Sequence, residues 1–257
     1  MSSATSMAAR FRREIEGLRR VGRAPVKSEA VHERLLESVF LNGMTEFESF
    51  LEEMFFAAVS KKVRPGNTKP VVSLRDPKTA RSLVLRPREH YLNWLPYEQS
   101  QERADQFLRD GSPFSRLGSR PAVINRLGVA MAVRNAIAHK GGSAHTRFRD
   151  ATGRRYPSPG QYLAAALGKS TVCDAFLADF VRFGKALCVS DVEALKLLGP
   201  EGPFPTGKKL EPGKYKCIDC GATYALKHRE AIACPVCDPP CGACGAATSR
   251  GASFQPA

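Results

Sequence analysis

Apolar residues recur every three or four positions between residues 28 and 61, and this is the clearest pattern in the chain. The principal apolar positions are Val31, Leu35, Val39, Gly43, Phe47, Leu51, Met54 and Ala58. A second set widens the same stripe: Leu36, Phe40, Met44, Phe50 and Phe55. The spacing predicts a long amphipathic helix that begins behind Pro25 and Ser28 and ends before the turn signature RPGN.

Three more segments have helical spacing. One helix is predicted over about residues 98–109. The next begins after Ser119 with a proline in its first turn, ends at Gly141 and Gly142, and has an apolar face formed by Val123, Leu127, Met131 and Ile137. Residues 161–198 predict one or two further helices, with one face formed by Cys173, Phe176, Phe180, Gly184 and Leu187. Cys173 and Cys188 are therefore expected to be buried apolar residues.

The remaining segments separate the chain into parts. Residues 1–27 predict a basic N-terminal arm with at most one short helix, and 28–198 a helical domain. Within that domain, VVSL and SLVL are either short strands or extended loop, and 143–160 are predicted to be a polar loop. A Pro- and Gly-rich linker follows over 199–213, then a small unit over 214–245 and a disordered tail over 246–257. The expected fold class is mainly α.

The excess of basic residues indicates a class of binding partner. The chain carries 39 Lys and Arg against 25 Asp and Glu, a formal net charge of +14. Such an excess usually indicates a polyanion, most often nucleic acid, with a solvated basic surface as the alternative. No apolar run approaches the length of about 18 residues that a membrane span needs, and the first residues lack the apolar segment of a secretory signal. We therefore expect a cytoplasmic protein without a membrane partner.

Six of the eight cysteines lie between residues 217 and 244, a clustering that indicates a metal site rather than disulfides. Cys217 and Cys220 form one CxxC knuckle, and Cys234 and Cys237 form another after thirteen intervening residues. The two sulfurs of a knuckle face one point, and two knuckles complete a tetrahedron around Zn²⁺ with no open position. These four cysteines are therefore the predicted ligands of a structural zinc ion.

Two alternatives for the ligand set stay open. Cys241 and Cys244 form a third knuckle that is able to replace Cys234 and Cys237, and His228 lies between the first two knuckles. The stretch YKCIDCGATY, with ACPVC after it, resembles a zinc ribbon of the rubredoxin-like kind over residues 214–245. The resemblance implies a small β domain, and a domain of this size depends on its metal for most of its stability.

The segment VRNAIAHKGG places Arg134, Asn135 and His139 at the end of a predicted helix. Arg presents a planar fork that matches phosphate oxygens, and His acts as a general base or acid near neutral pH. Because RNA carries its own 2′-OH nucleophile, this pair suffices for strand cleavage without a metal. Residues five apart on an ideal helix differ by about 140°, so convergence requires an unwound helix end or a symmetric dimer. The alternative is a surface Arg and a capping His.

The motif RNAIAH in a helical domain resembles the Arg-x4–6-His motif of the HEPN superfamily. The helix ESVFLNGMTEFESFLEEMF and the upstream YLNW look like the RiboL-PSP-HEPN group, over roughly residues 28–195. The resemblance implies a compact helical bundle that dimerises and brings two motifs into one cleft. Many HEPN proteins are metal-independent endoribonucleases, including toxins of toxin–antitoxin and phage-defence systems. Others have lost activity and serve as binding or scaffold domains.

By this resemblance Arg134 and His139 are catalytic, Asn135 supports them, and Glu46 or Glu48 on the first long helix orients the Arg. RNA, a second copy of the chain and a cognate antitoxin or other partner protein are the implied partners. The hypothesis is a HEPN-like endoribonuclease bundle followed by a small β zinc-ribbon domain. It competes with a non-catalytic nucleic-acid- or protein-binding adaptor and with a nucleotide-binding regulator of the HEPN type.

Overall fold

The computed structural model describes residues 3–60, 70–71, 77–85, 92–139, 141–153 and 155–198, and short strands between 204 and 256. The chain divides into two compact units. One comprises Met1–Ser119 with Val123–Leu198, and the other comprises Arg120–Ala122 with Gly199–Ala257. None of the helices in the described ranges is long and apolar enough to cross a membrane.

Helices dominate the described chain up to residue 198, as the mainly α prediction requires. In chain order they are α1 (Ala4–Gly22), α2 (Glu29–Val59), α3 (Pro77–Val84), α4 (Tyr97–Phe107), α5 (Ser115–Gly118), α6 (Pro121–Ala138), α7 (Gly142–Ala151), α8 (Pro159–Ala164), α9 (Val172–Cys188) and α10 (Asp191–Leu198). Between α8 and α9 lies a short antiparallel pair, β1 (Ala166–Leu167) and β2 (Ser170–Thr171). The predicted helices over 28–61, 98–109 and 119–139 correspond to α2, α4 and α6.

Helix α2 is the centre of the helical unit and begins as the sequence predicts. The Ser28 side chain caps it by accepting the N–H of Val31 at 3.4 Å. Its apolar stripe then packs on two neighbours: the Phe47 ring stacks on Phe180 of α9 at a centroid distance of 5.1 Å, and Phe50 stacks on Phe11 of α1 at 4.6 Å. Stacked aromatic pairs of this kind bury large apolar areas. The predicted face therefore forms the core.

Close approach of α2 and α9 depends on a glycine. A Cβ atom added at Gly43 would lie 2.3 Å from Cδ2 of Leu177 on α9. Any larger residue at this position forces Leu177 or the helices to shift, and overpacking of a dense core destabilises a protein. Gly43 lies on the predicted apolar stripe, and because it has no side chain, α9 is able to pack closely there.

Three sequence predictions about local structure are corrected. Residues 4–22 are not an arm but a helix, because Met7, Phe11, Ile15 and Gly22 bury one face of α1 in the core. SLVL lies within and just after α3, so it is neither strand nor extended loop. Most of the expected polar loop over 143–160 is helical, since α7 buries Phe148 and α8 is capped by Ser158.

Buried side chains behave largely as their residue types indicate. Trp94 is an anchor of the core, and its Nε1 donates a hydrogen bond to Oε2 of Glu52 at 2.9 Å. Cys173 and Cys188 are buried and unbridged, which confirms their apolar role. Burial raises the pKa of each thiol to about 12, so neither is a reactive thiolate at neutral pH.

An ion-pair cluster ties α1 to α9. The nearly buried Asp174 accepts hydrogen bonds from Nε of Arg19 at 3.0 Å and from Nε of Arg23 at 3.1 Å. These charged donors, Arg19 first, hold the pKa of Asp174 below its ordinary value although burial opposes the shift. The cluster joins residues about 150 positions apart in the sequence.

We expect Asp174→Asn to lower the free energy of unfolding by about 2 kcal/mol at pH 7, because two guanidinium groups lose their charged acceptor. A carboxyl group with a lowered pKa stabilises the fold above its unfolded pKa of about 3.9, and this stabilisation disappears as the pH falls through the folded pKa. The difference between variant and wild type should therefore vanish in strong acid. Urea unfolding at pH 7 and at a series of pH values descending below the unfolded pKa measures the difference and its loss.

The matched control for this prediction is Glu14→Gln, which removes one carboxylate from the exposed side of α1. Within the described ranges Glu14 makes no ion pair, so its loss should change the free energy of unfolding by less than about 0.5 kcal/mol. Equal stability of Asp174→Asn and wild type at pH 7 would contradict the assigned role of the cluster.

The second unit contains short β strands, of which only the backbone is described. They are β3 (Phe204–Pro205), β4 (Lys209–Leu210), β5 (Gly213–Cys217), β6 (Thr223–Leu226), β7 (Glu230–Ala231) and β8 (Ser253–Pro256). The sheet order is β3-β8-β5-β6, and β5 and β6 are an antiparallel hairpin. Because Ser253–Pro256 pairs with β5, this part of the predicted disordered tail over 246–257 is a strand instead.

Candidate active site

Helix α6 carries the Arg-x4-His motif and is fixed against the core by its apolar face. Val123, Leu127, Ala130 and Val133 are buried along this face. Because Arg134 and Asn135 directly follow Val133, they lie at the margin of the buried face, and both are half-exposed. The helix ends at Ala138, so His139 is the first residue beyond it.

A salt bridge two turns before the motif secures α6 against α9. Nε of Arg126 lies 2.8 Å from Oδ2 of Asp179, and its guanidinium carbon lies 3.6 Å from the centre of the Phe176 ring. The combination of an ion pair and a cation–π contact fixes the direction of α6. Arg134 and His139 therefore lie at the end of a helix whose position is stabilised by contacts with α9.

The motif residues interact through Asn135. Nη1 of Arg134 donates to Oδ1 of Asn135 at 3.3 Å, and the backbone N–H of His139 donates to the Asn135 carbonyl at 2.9 Å. The His139 side chain is exposed. Within the ranges that the structure describes, no hydrogen bond joins the Arg134 and His139 side chains. The structure thus joins the side chains of Arg134 and Asn135, whereas the described contact between His139 and Asn135 is through the backbone.

Glu48 of α2 adds an acidic group to this region. It is half-buried, and burial raises its pKa above the ordinary value while the positive charge of Arg134 acts in the opposite direction. The two side chains are therefore electrostatic neighbours across α2 and α6. Glu46 lies about 200° around the helix from Glu48, on the opposite flank of the buried stripe. Of Glu46 and Glu48, the two glutamates that the sequence analysis considered as partners of the Arg, Glu48 is the one that interacts electrostatically with Arg134.

The pKa of Glu48 has a consequence for the charge around Arg134. Because its folded pKa is raised, Glu48 protonates at a higher pH than an exposed glutamate does. Above that pKa its carboxylate attracts Arg134, and below it the attraction is lost. The ionised form is also the less favourable form to bury, so this residue lowers stability as the pH rises from its unfolded pKa through its folded pKa.

Two basic residues after the motif lie on a helix, although this segment was predicted to be a loop. Arg147 and Arg149 are exposed on α7, whose first residue Gly142 follows His139 by three positions. The signal in the sequence was weak, since Phe148 is the one strongly apolar residue of α7.

The predicted zinc ligands lie largely outside the described residues. Cys217 is the last residue of β5, and its side chain is not among those described. Cys220, Cys234 and Cys237 belong to stretches that the structure does not describe, as do Cys241 and Cys244. Elsewhere, the described side chains include no group of three or more His, Cys, Asp or Glu residues able to hold a metal ion. The cysteine assignment stays a prediction.

Comparisons with known proteins give no information about the role of these residues. No family model, no curated protein and no solved structure matches this chain. The residues available for a reaction at the end of α6 are a permanently charged guanidinium, an amide, an exposed imidazole and a nearby carboxyl group. A guanidinium group matches phosphate oxygens, and an imidazole is able to take up or release a proton near neutral pH.

Proposed function

We propose that this protein is a metal-independent endoribonuclease of the HEPN type that acts as a cytoplasmic homodimer. The observation that carries the proposal is the half-exposed Arg134, which has Asn135 and Glu48 as neighbours and lies shortly before the exposed His139. The HEPN resemblance further favours a toxin or phage-defence component that is controlled by a cognate antitoxin or another partner protein.

In the proposed reaction Arg134 binds the non-bridging oxygens of the scissile phosphate, and His139 takes the proton of the neighbouring 2′-OH. The 2′ oxygen attacks phosphorus and the bond to the 5′ oxygen breaks. The proton that His139 took from the 2′-OH passes to that oxygen, which leaves as a 5′-hydroxyl. The other product is a 2′,3′-cyclic phosphate. Glu48 is a positioning residue in this scheme, because its carboxylate acts on the Arg134 guanidinium rather than on the substrate.

The angle between the motif positions supports the proposal of a homodimer. On an ideal helix Arg134 and His139 differ by about 140° in direction, whereas a twofold axis at the end of α6 would bring the Arg134 of one copy towards the His139 of the other. We therefore propose that each active cleft uses residues of two chains. RNA is the proposed substrate because only a ribose supplies the attacking 2′-OH.

This arrangement predicts complementation between two inactive variants. Arg134→Ala and His139→Ala should each be inactive, but a mixture refolded together should regain about a quarter of the wild-type rate. Half of the dimers are then mixed, and half of the sites in a mixed dimer have both intact side chains. The rate of RNA cleavage in EDTA measures the effect, with each variant alone as the control. A mixture that is no more active than its components would contradict the composite site.

A non-catalytic adaptor is the second candidate function. It is favoured by the absence, within the described ranges, of a hydrogen bond between the Arg134 and His139 side chains of one chain, which leaves the motif incomplete if the protein does not dimerise. In that case the basic surface and the C-terminal unit bind nucleic acid or protein without turnover. The proposal for the C-terminal unit is a structural Zn²⁺ held by Cys217, Cys220, Cys234 and Cys237.

A further inference from the structure

Helix α1 contains five arginines, which fall into two groups according to whether they form ion pairs with described residues. Arg10 pairs with Glu53 of α2, and Arg19 pairs with Glu16 and with Asp174 of α9. These two arginines, with Arg23 just beyond the helix, attach α1 to the core. The remaining three, Arg12, Arg13 and Arg20, are exposed.

Two of the three exposed arginines lie on the outer face of α1, and the third flanks that face. Arg13 and Arg20 are seven residues apart, so they lie almost in line and about 10.5 Å apart along the axis, whereas Arg12 lies about 100° round from Arg13. Phe11 and Ile15 face away from Arg13 and Arg20, into the core. In the described parts of the chain none of the three arginines takes part in an ion pair. We call Arg12, Arg13 and Arg20 the α1 ridge.

The location of the α1 ridge separates it from the candidate active site. Helix α1 packs on the Phe50 side of α2 and on α9, where Phe11 is within 2.8 Å of a Cβ atom added at Gly184. Glu48, the neighbour of Arg134, is about 160° around α2 from Phe50. The ridge is therefore on another flank of α2 and does not extend the Arg134 site of the same chain.

We propose that the α1 ridge binds the phosphodiester backbone of nucleic acid, at a site separate from Arg134 and His139. Guanidinium groups match pairs of phosphate oxygens, and the two arginines in line with a third beside them suit a chain of phosphates better than a single anion. An anionic membrane is a poorer partner, because the apolar face of α1 is buried in the core and cannot insert into lipid. The site does not require that the protein cleave RNA.

The test uses the full-length protein and a fluorescein-labelled, fully 2′-O-methylated RNA of about 20 nucleotides, which binds but has no free 2′-OH to attack. Affinity is measured by fluorescence anisotropy over a series of salt concentrations, with single-stranded DNA of the same sequence as a second probe. Replacing all three ridge arginines by Gln should weaken binding about tenfold and reduce the salt slope by about 2, since each single-strand phosphate contact contributes about 0.7.

Two control variants separate the ridge from net charge and from folding. Arg109→Gln, Lys169→Gln and Lys196→Gln together remove the same charge from exposed positions outside α1 and should leave most of the affinity. Changing the ridge arginines to Lys keeps the charge and should preserve most of the salt slope. Circular dichroism and thermal unfolding check that all variants fold.

Several outcomes would overturn the ridge as a nucleic-acid site. They are unchanged binding by the Gln variant, an equal loss in the charge-matched control, no binding by the wild-type protein, and binding only to phosphatidylserine vesicles. A protein that binds the methylated RNA through the ridge but cleaves no RNA would leave this site standing and remove the proposed nuclease function. The two proposals therefore fail separately.

Discussion

His139→Ala is expected to slow RNA cleavage by about 10²-fold or more, the usual effect of losing a positioned acid or base. His139 lies beyond the end of α6 with an exposed side chain, so its removal should leave the fold and the proposed dimer intact. Arg134→Lys should also be strongly impaired, since an ammonium group does not reproduce the two-point contact of a guanidinium with phosphate. Single-turnover cleavage of a defined RNA in EDTA measures both rates.

His32→Ala is the matched control for the loss of an imidazole. His32 lies 16 residues before Glu48 on α2, about 24 Å along the helix, and its Nε2 is 3.4 Å from the Gly22 carbonyl oxygen. Its removal should leave the cleavage rate within about twofold of wild type, because small surface changes outside a site have little effect. Comparable losses in His32→Ala and His139→Ala, with both proteins folded, would show that His139 has no special role.

Cys220→Ser should abolish zinc binding, from about one ion per chain in the wild type to almost none. A four-thiolate site has no spare ligand, and the free energy of metal binding is the folding energy of a domain this small. The segment 214–245 should then become sensitive to proteases, whereas the helical unit keeps its thermal transition. Elemental analysis of the purified protein and limited proteolysis measure the two effects.

Cys244→Ser tests the competing ligand set. If Cys234 and Cys237 complete the tetrahedron, this variant should keep its zinc; if the third knuckle replaces them, zinc should be lost. Full zinc content in Cys220→Ser would refute the first knuckle itself. The hairpin of β5 and β6 flanks residues 218–222, so either ligand set uses a knuckle that begins at the end of β5.

Local patterns predicted the parts of the fold in which one apolar face repeats over many turns. The stripe of α2 and the cap at Ser28 are examples, because both depend only on residues close in the sequence. Helix α1 is longer and more buried than the short helix that the sequence allowed in the basic arm, although Met7, Phe11 and Ile15 have helical spacing. Helix α7 was missed because a single anchor, Phe148, gives too weak a period.

Contacts between distant elements could not be predicted from spacing. Arg116 donates through Nη1 to the carbonyl oxygens of Ala186 at 3.2 Å and Val189 at 2.6 Å, some 70 residues later, and nothing near Arg116 indicates this partner. The same holds at the candidate site. Periodicity placed Arg134 and His139 at a helix end, but only the tertiary structure, in which the charge of Arg134 acts on Glu48, distinguishes Glu48 from Glu46 as the acidic neighbour.

Analysis of the cleavage products tests the proposed reaction most directly. Wild-type protein in EDTA should convert an RNA oligonucleotide into fragments with a 2′,3′-cyclic phosphate and a 5′-hydroxyl, and should leave the same strand uncut when the ribose at the cleavage position lacks its 2′-OH. Mass spectrometry identifies both ends. The folded and dimeric double variant Arg134→Lys, His139→Ala should form neither product. Wild-type cleavage rates in that double variant, or 5′-phosphate ends from the wild type, would contradict the assignment of Arg134 and His139 to this chemistry.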